Sequence, residues 1–128
     1  MNQIAQIGVA PVVGPEVITG STRMKSGTAQ KMVLNMLSTG VMVRSGKVYQ
    51  NLMVNVQPTN LKLIQRSISI IQEATGVDAT TAEKYLQRAE NQVAAAIVMI
   101  ETGKSFKESI QALKEKHDRI SDVVKASS

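Results

Sequence analysis

The sequence predicts a mainly α-helical protein with a little β structure near its start. From about residue 27 onward, apolar residues recur every three or four positions, which is the spacing of a helix with one buried face. A short apolar run near the start has the composition of a strand. Gly, Pro and capping residues divide the later part into segments of helix length. The 128 residues suffice for one ordinary domain or two small ones.

The run IGVAPVV, residues 7–13, predicts one short strand. Its β-branched residues favour extended structure, and Pro11 indicates an edge position because proline cannot donate to a ladder. A lone strand has no neighbour with which to form that ladder. We therefore expect another chain, a second copy or further sequence to complete the sheet.

A long helix is predicted from about residue 28 to residue 45. Its apolar positions follow helical spacing and are Ala29, Met32, Val33, Met36 and Leu37. Gly46 is a suitable stop, because glycine commonly ends helices. The following stretch, KVYQNLMVNVQPTN, alternates weakly and predicts a linker or strand. Only 2% of the residues are aromatic, so we expect an aliphatic core in which methionines fill the gaps.

The remainder predicts four or five short helices. The first opens at residues 58–60, ends before Gly76, and has an apolar face formed by Leu61, Ile64, Ile68 and Ile71. Capping boxes are predicted at Thr80 with Glu83 and at Ser105 with Glu108. Between them, a helix that ends at Gly103 is lined by Val93, Ala96, Ile97 and Ile100, and a last turn covers residues 120–124. We place the domain boundary between residues 57 and 58.

Composition narrows the classes of function. The chain has no Cys, which excludes disulfides, thiol catalysis and Cys-ligated metals. The start of the chain lacks the basic region of a signal peptide. The longest apolar run, VAAAIVMI, is too short to span a bilayer, so the sequence predicts a cytoplasmic protein with no membrane partner.

The charge is unevenly distributed. Residues 1–66 hold seven basic residues and one acid, whereas residues 67–128 hold eight basic and nine acidic residues. This asymmetry indicates an anionic partner near the start. Nucleic acid is the less favoured choice, because the basic residues are scattered and no aromatic platform lies among them.

The stretch GPEVITGSTRMKSGTAQK, residues 14–31, lies where the predicted strand gives way to the long helix. Helix N-termini at such positions attract anions. Hydroxyls are supplied by Thr19, Ser21 and Thr22, and charge by Arg23 and Lys25. A phosphate or a sugar would suit this lining. On the residues alone a second interpretation stays open, in which Ser21 or Thr22 caps the helix and the basic side chains are solvated.

This stretch closely resembles the signature shared by N-acetylmuramic acid 6-phosphate etherases and the glucokinase regulatory protein. The stretches LNMLSTG, GKVYQNLMVNVQPTN and EATGVDATTAEKYLQRAENQVAAAIVMI resemble the bacterial etherases too, so the resemblance covers essentially the whole chain. Gln50, Asn55 and Ser26 depart from the residues usual in that family. The resemblance implies the last strand and long helix of a truncated sugar-isomerase-type (SIS) α/β domain, residues 1–57. A small ubiquitin-associated-like helical bundle, residues 58–128, follows it.

The resemblance also implies a chemistry. The family cleaves the D-lactyl ether of N-acetylmuramic acid 6-phosphate by elimination and water addition, in cell-wall recycling, without metal or organic cofactor. Its glycine-rich and serine-rich phosphate loops and its two acid–base glutamates lie upstream of the matching segment. No stretch like GAGTSGR or SGRTPY occurs here, so we expect Met1 to mark a truncation and assign no catalytic residue, Glu16 included.

Ligand contact is expected for six residues of the signature: Glu16, Ser21, Thr22, Arg23, Lys25 and Lys31. The ligand expected is an amino-sugar 6-phosphate, and the chain is expected to form a homodimer. Whether this chain acts as an enzyme stays open, and we expect it to be inactive alone. The alternative is a non-enzymatic module that senses phosphosugars or binds proteins, related to the glucokinase regulatory protein.

Overall fold

The computed structural model describes residues 4–127 and contains six helices and one β-hairpin within them. The elements in chain order are α1 (Lys25–Arg44), β1 (Val48–Tyr49), β2 (Leu52–Met53), α2 (Leu61–Thr75), α3 (Ala79–Arg88), α4 (Val93–Thr102), α5 (Phe106–Glu115) and α6 (Ile120–Lys125). The predicted mainly α-helical fold is confirmed. No helix in residues 4–127 has both the length and the apolar character needed to cross a bilayer.

The chain divides into two compact units, Met1–Gly40 and Val41–Ser128. The division falls inside α1, upstream of the boundary predicted between residues 57 and 58, which stays a prediction.

The strand predicted at residues 7–13 is absent, and this segment has no regular secondary structure. The prediction was wrong because a strand exists only as part of a ladder, and no described segment pairs with this one. Most of its apolar residues are consequently exposed, as Val12 is at 98%.

The long helix is confirmed as α1, although it begins three residues earlier than predicted, at Lys25. No residue of α1 is buried. Further apolar side chains, those of Leu34, Val41 and Met42, lie outside the predicted stripe, so apolar residues occupy all sides of the helix rather than one face. Helices of this composition are normally enclosed by other structure.

The stretch predicted as linker or strand contains a two-stranded antiparallel hairpin. Val48 pairs with Met53 and Tyr49 pairs with Leu52. Gln50, in the turn, has a positive φ of 54°, so its backbone is left-handed. Val54, directly after the hairpin, is 3% exposed and belongs to the core.

Helix α2 has the predicted ends. The Asn60 side chain accepts a hydrogen bond from the backbone N–H of Leu63 at 3.0 Å, and the helix ends at Gly76, whose φ is +75°. Of the predicted face, Ile71 is fully buried and Ile68 packs against the core, whereas Leu61 is 80% exposed, so the prediction was wrong for Leu61. The residues actually buried are Ser67, Ile70, Ile71 and Ala74.

Asp78, rather than Thr80, caps helix α3. The Asp78 carboxylate accepts from the Thr81 backbone N–H at 2.9 Å and from the Thr81 hydroxyl at 2.8 Å. Because the helix already begins at Ala79, Thr80 lies inside it, and the capping box predicted for Thr80 with Glu83 is wrong.

The core of the Val41–Ser128 unit is built around α4. This helix contacts α2, α3, α5 and α6, and six of its ten residues are buried. Ala95 and Ala96 are fully buried, and such small side chains let helices approach closely. The predicted end at Gly103 and the capping box of Ser105 with Glu108 at the start of α5 are both confirmed.

Methionine does not serve as the expected gap-filler. Among the described methionines, Met99 is buried at 2% exposure, whereas the large exposed side chains include Met24, Met32, Met36, Met42 and Met53. Met24, Met32 and Met36 belong to the Met1–Gly40 unit, whose described residues contribute nothing to the core, and Met42 and Met53 are exposed in the other unit, so the prediction was wrong for most methionines.

Candidate functional site

The signature segment, residues 14–31, consists of a loop, residues 14–24, and the first seven residues of α1. Gly20 has a φ of +85°, which a residue with a side chain rarely adopts, and it lies within the turn of residues 18–21, in which the Ser21 N–H donates to the Ile18 carbonyl at 3.0 Å. The loop then enters α1 at Lys25.

The carboxylate of Glu16 caps this helix from nine residues away. The backbone N–H of Lys25 lies 3.1 Å from both Glu16 oxygens, and the N–H of Ser26 donates to Oε1 at 3.1 Å. The N–H of Gly27 donates to the Thr22 carbonyl at 2.9 Å. The first three N–H groups of α1 are therefore engaged within the chain.

This arrangement changes what an anionic ligand could contact. Free N–H groups at a helix N-terminus are what make it attractive to anions. Here Glu16 supplies the negative charge that the helix dipole favours. A phosphate at this loop would have to be bound by side chains and by loop N–H groups.

The same contacts lower the pKa of Glu16 below its ordinary value of 4.5. Hydrogen bonds from the Ser26 and then the Lys25 backbone N–H groups stabilise the ionised carboxylate, and the Lys25 charge acts in the same direction. At neutral pH Glu16 is thus an anion with its oxygens committed to the helix.

Lys25 completes the closure of the loop from the other side. Its Nζ donates to the Pro15 carbonyl at 2.8 Å. Lys25 and Arg23 also border a shallow depression, whose walls include Val13, Thr28 and Met32. The structure thus brings together two of the predicted cations and Glu16.

The six predicted residues are not all gathered in one place. Thr22 and Arg23 are exposed, and Ser21 is partly buried in the turn. Lys31 is exposed on α1, six positions after Lys25, and therefore about 120° around the helix from it. Contact of these residues with a ligand stays a prediction.

A second concave surface, not predicted from the sequence, lies in the Val41–Ser128 unit. It is a cleft of about 630 Å³ whose lining includes Val54, Val93 and Leu113. Lys47 and Asp118, also in its lining, form an ion pair at 2.9 Å. Its residues come from three distant parts of the sequence, 46–59, 90–94 and 110–118, so no local motif could indicate it.

The described part of the chain contains no cluster of metal-ligating side chains. No group of three or more His, Asp or Glu side chains within residues 4–127 could hold a metal ion. His117, predicted as a surface residue, is exposed.

Comparison with known proteins confirms the resemblance stated from the signature. Residues 50–95 match the family model of the C-terminal lid domain of glucokinase regulatory protein. N-acetylmuramic acid 6-phosphate etherase 1 of Enterococcus faecalis is 60% identical over 124 residues, which cover 97% of this chain and 41% of that protein. The etherase of Lactobacillus johnsonii is 54% identical over 124 residues, 97% of this chain and 42% of that protein. The etherase of Yersinia pestis strain Pestoides F is 56% identical over 115 residues, 90% of this chain and 39% of that protein.

The chain is therefore similar to N-acetylmuramic acid 6-phosphate etherases over nearly all of its own length. It spans about two fifths of the length of these curated relatives.

Proposed function

We propose that this chain is the C-terminal part of an N-acetylmuramic acid 6-phosphate etherase and carries one wall of its phosphosugar site. The observation that carries the proposal is 60% identity to such an etherase over 97% of the chain, with the signature segment included. In this proposal residues 1–57 are the end of an SIS domain, and residues 58–128 are a ubiquitin-associated-like bundle. Action in the cytoplasm and a homodimeric state belong to the same proposal.

The proposed ligand is an amino-sugar 6-phosphate. Arg23 has a planar guanidinium that can bind two phosphate oxygens at once, and Lys25 retains ammonium protons beyond the one donated to Pro15. Ser21 and Thr22 offer hydroxyls on the same loop, and Lys31 adds charge farther along α1. Glu16 contributes by holding the loop rather than by touching the ligand.

In the proposed reaction, elimination of the lactyl group followed by addition of water gives N-acetylglucosamine 6-phosphate and D-lactate. The proton transfers need positioned acid–base groups. No residue of this chain is assigned that role, and we propose that the chain is inactive alone.

The experiment is an assay of D-lactate release from N-acetylmuramic acid 6-phosphate by the purified chain. We expect no release, together with binding of N-acetylglucosamine 6-phosphate detected by calorimetric titration. An Arg23→Ala variant should lose binding, whereas Arg88→Ala, which removes an arginine stacked on Tyr85 in the other unit, should retain it. Robust turnover would contradict the proposed inactivity, and absence of binding would contradict the proposed site.

A second candidate function is a non-enzymatic module that senses phosphosugars or binds proteins. It is favoured by the match of residues 50–95 to a domain of a regulatory protein. Here the chain would bind an amino-sugar phosphate without converting it, even when supplied with the remaining part of an etherase. Restoration of lactate release by that addition would exclude this candidate.

A further inference from the structure

We propose that Glu16 is a positioning residue, which acts as an internal anion to fix the loop of residues 17–24 in one conformation. The proposal rests on the proposed function only for what the loop presents, namely the phosphosugar contacts. The closure of the loop is a separate claim and is tested separately.

The geometry shows a loop closed at its base by two contacts that run in opposite directions. The Glu16 carboxylate reaches forward and accepts from the backbone N–H groups of Lys25 and Ser26, all at 3.1 Å. The Lys25 ammonium reaches back to the Pro15 carbonyl at 2.8 Å. Each residue thus holds the segment that carries the other.

The closure matters because the loop of residues 17–24 has few other contacts that fix its conformation. Residues 17–24 form no regular helix or strand, and turns such as that from Ile18 to Ser21 give them little other support. A loop without such support must lose conformational entropy when it binds a ligand. Contacts across the base of the loop restrict its conformation before the ligand binds, so less entropy is lost on binding. The affinity for a ligand that contacts Ser21, Thr22 and Arg23 is therefore higher.

The negative charge of Glu16 also determines which groups of the loop remain available to bind a ligand. The Glu16 carboxylate already satisfies the N–H groups of Lys25 and Ser26, which point along the axis of α1. Among the described charged side chains, that of Lys25 acts on this carboxylate and favours its ionised form. A ligand phosphate would therefore meet the loop side chains and not the helix axis.

The test is a pH titration of the unmodified chain, with the backbone amides of Lys25 and Ser26 followed by NMR. We expect both amide resonances to shift with one midpoint below 4.5, the ordinary pKa of a Glu. A Glu16→Gln variant should lose this titration, and its closed loop should be populated about threefold less, because the amide oxygen can still accept a hydrogen bond but the negative charge that the helix N-terminus favours is gone. Glu83→Gln, at an exposed position on α3, is the matched control and should leave both amides unchanged.

Ligand binding separates the two claims. With N-acetylglucosamine 6-phosphate as the probe, Glu16→Gln should weaken binding about threefold, and Glu16→Asp should restore part of it because a shorter carboxylate keeps the charge. If the two amides titrate but the unmodified chain binds no sugar phosphate, the loop closure stands and the proposed function fails. Amides that do not titrate, or equal sugar affinity for Glu16→Gln and the unmodified chain, would overturn the positioning role.

Discussion

At the scale of single residues, Gly46 lies where the chain leaving α1 passes over the turn between α5 and α6. Its φ is +73°, and a Cβ added there would lie 2.5 Å from the backbone carbon of Asp118 and 2.8 Å from the His117 carbonyl oxygen. Both neighbours are backbone atoms, which cannot rotate away. The Lys47–Asp118 ion pair beside this contact is partly exposed and should add at most about 1 kcal/mol.

We expect Gly46→Ala to lower the free energy of unfolding by about 3 kcal/mol, because a left-handed alanine is strained and the methyl group also overlaps the backbone. Gly103→Ala is the matched control. Its φ of +69° is nearly the same, but open space surrounds it, so we expect a loss of about 1 kcal/mol. Urea unfolding measures both, and equal losses would contradict a steric contribution from Asp118.

Two buried serines in the core have hydroxyl groups without a hydrogen-bond partner among the described residues, and replacing such a serine should stabilise the fold. The hydroxyls of Ser67 on α2 and Ser109 on α5 are fully buried and have no hydrogen-bond partner in the structure. A buried hydroxyl without a partner costs about 1 kcal/mol or more. We expect Ser109→Ala to raise the free energy of unfolding by about 1 kcal/mol, measured by urea unfolding.

The control for this prediction is Ser69→Ala. Ser69 is exposed, and its hydroxyl donates to the Gln65 carbonyl at 3.1 Å, so its removal should change stability little. A loss of stability in Ser109→Ala would mean that this hydroxyl has a partner in solution.

At the scale of the elements, the helix ends show how far the sequence predicts the fold. Asn60, Gly76 and Gly103 act within a few residues of the helix ends they define, so their roles were predictable. The prediction for α3 was wrong because it chose Thr80, although aspartate ranks above threonine as an N-cap and Asp78 starts the helix two residues earlier.

For the candidate site, the sequence indicates which types of residue are present, but not which of them contact one another. Arg23 and Lys25 stand out in the signature because local chemistry marks them. The role of Glu16 could not be read in the same way, since its contacts with Lys25 and Ser26 depend on the path of the intervening loop. The cleft beside Asp118 joins segments up to about 70 residues apart and leaves no local pattern.

Removing the N-cap of α3, Asp78, should lower the thermal stability of the chain. We expect Asp78→Ala to lower Tm by roughly 4–8 °C, because two hydrogen bonds to Thr81 disappear at the helix start. Thr80→Ala should leave Tm nearly unchanged, since Thr80 lies inside α3 and is exposed. Thermal unfolding followed by circular dichroism compares the two, and a larger effect of Thr80→Ala would restore the capping box predicted there.

The capping carboxylates of two helices, Asp78 at α3 and Glu108 at α5, predict that stability depends on pH. Hydrogen bonds to Thr81 hold the pKa of Asp78 below its ordinary 3.8, and those from Ser105 hold the pKa of Glu108 below 4.5. A carboxyl whose pKa is lower in the folded state stabilises the fold fully above its unfolded pKa. That stabilisation is lost as the pH falls from about 4.5 through the folded values.

We therefore expect the urea midpoint of the unmodified chain to fall between pH 5 and pH 3 more steeply than that of Asp78→Asn with Glu108→Gln. The doubly substituted chain lacks both titrating caps and serves as the reference. Identical pH profiles would show that these carboxylates do not titrate with folding.

At the scale of the whole molecule, the chain exposes an unusual amount of apolar surface on α1. Met36 is 65% exposed, Val41 is 62% exposed and Leu37 is 60% exposed, although α1 has twenty residues and none is buried. A helix with apolar side chains on all sides is normally enclosed by neighbouring structure. Uncovered apolar surface of this kind favours association between molecules.

We expect the purified chain to associate with itself, with a mass by light scattering above the 13.8 kDa of one copy that increases with concentration. Leu34→Glu combined with Leu37→Glu should shift the mass toward that of one copy, because burying a carboxylate against an apolar surface is unfavourable. Leu61→Glu is the matched control, since Leu61 is an exposed leucine outside α1, and it should leave the mass unchanged. If the unmodified chain stays at one copy at high concentration, α1 is stable uncovered; an equal effect of Leu61→Glu would place the association on another surface.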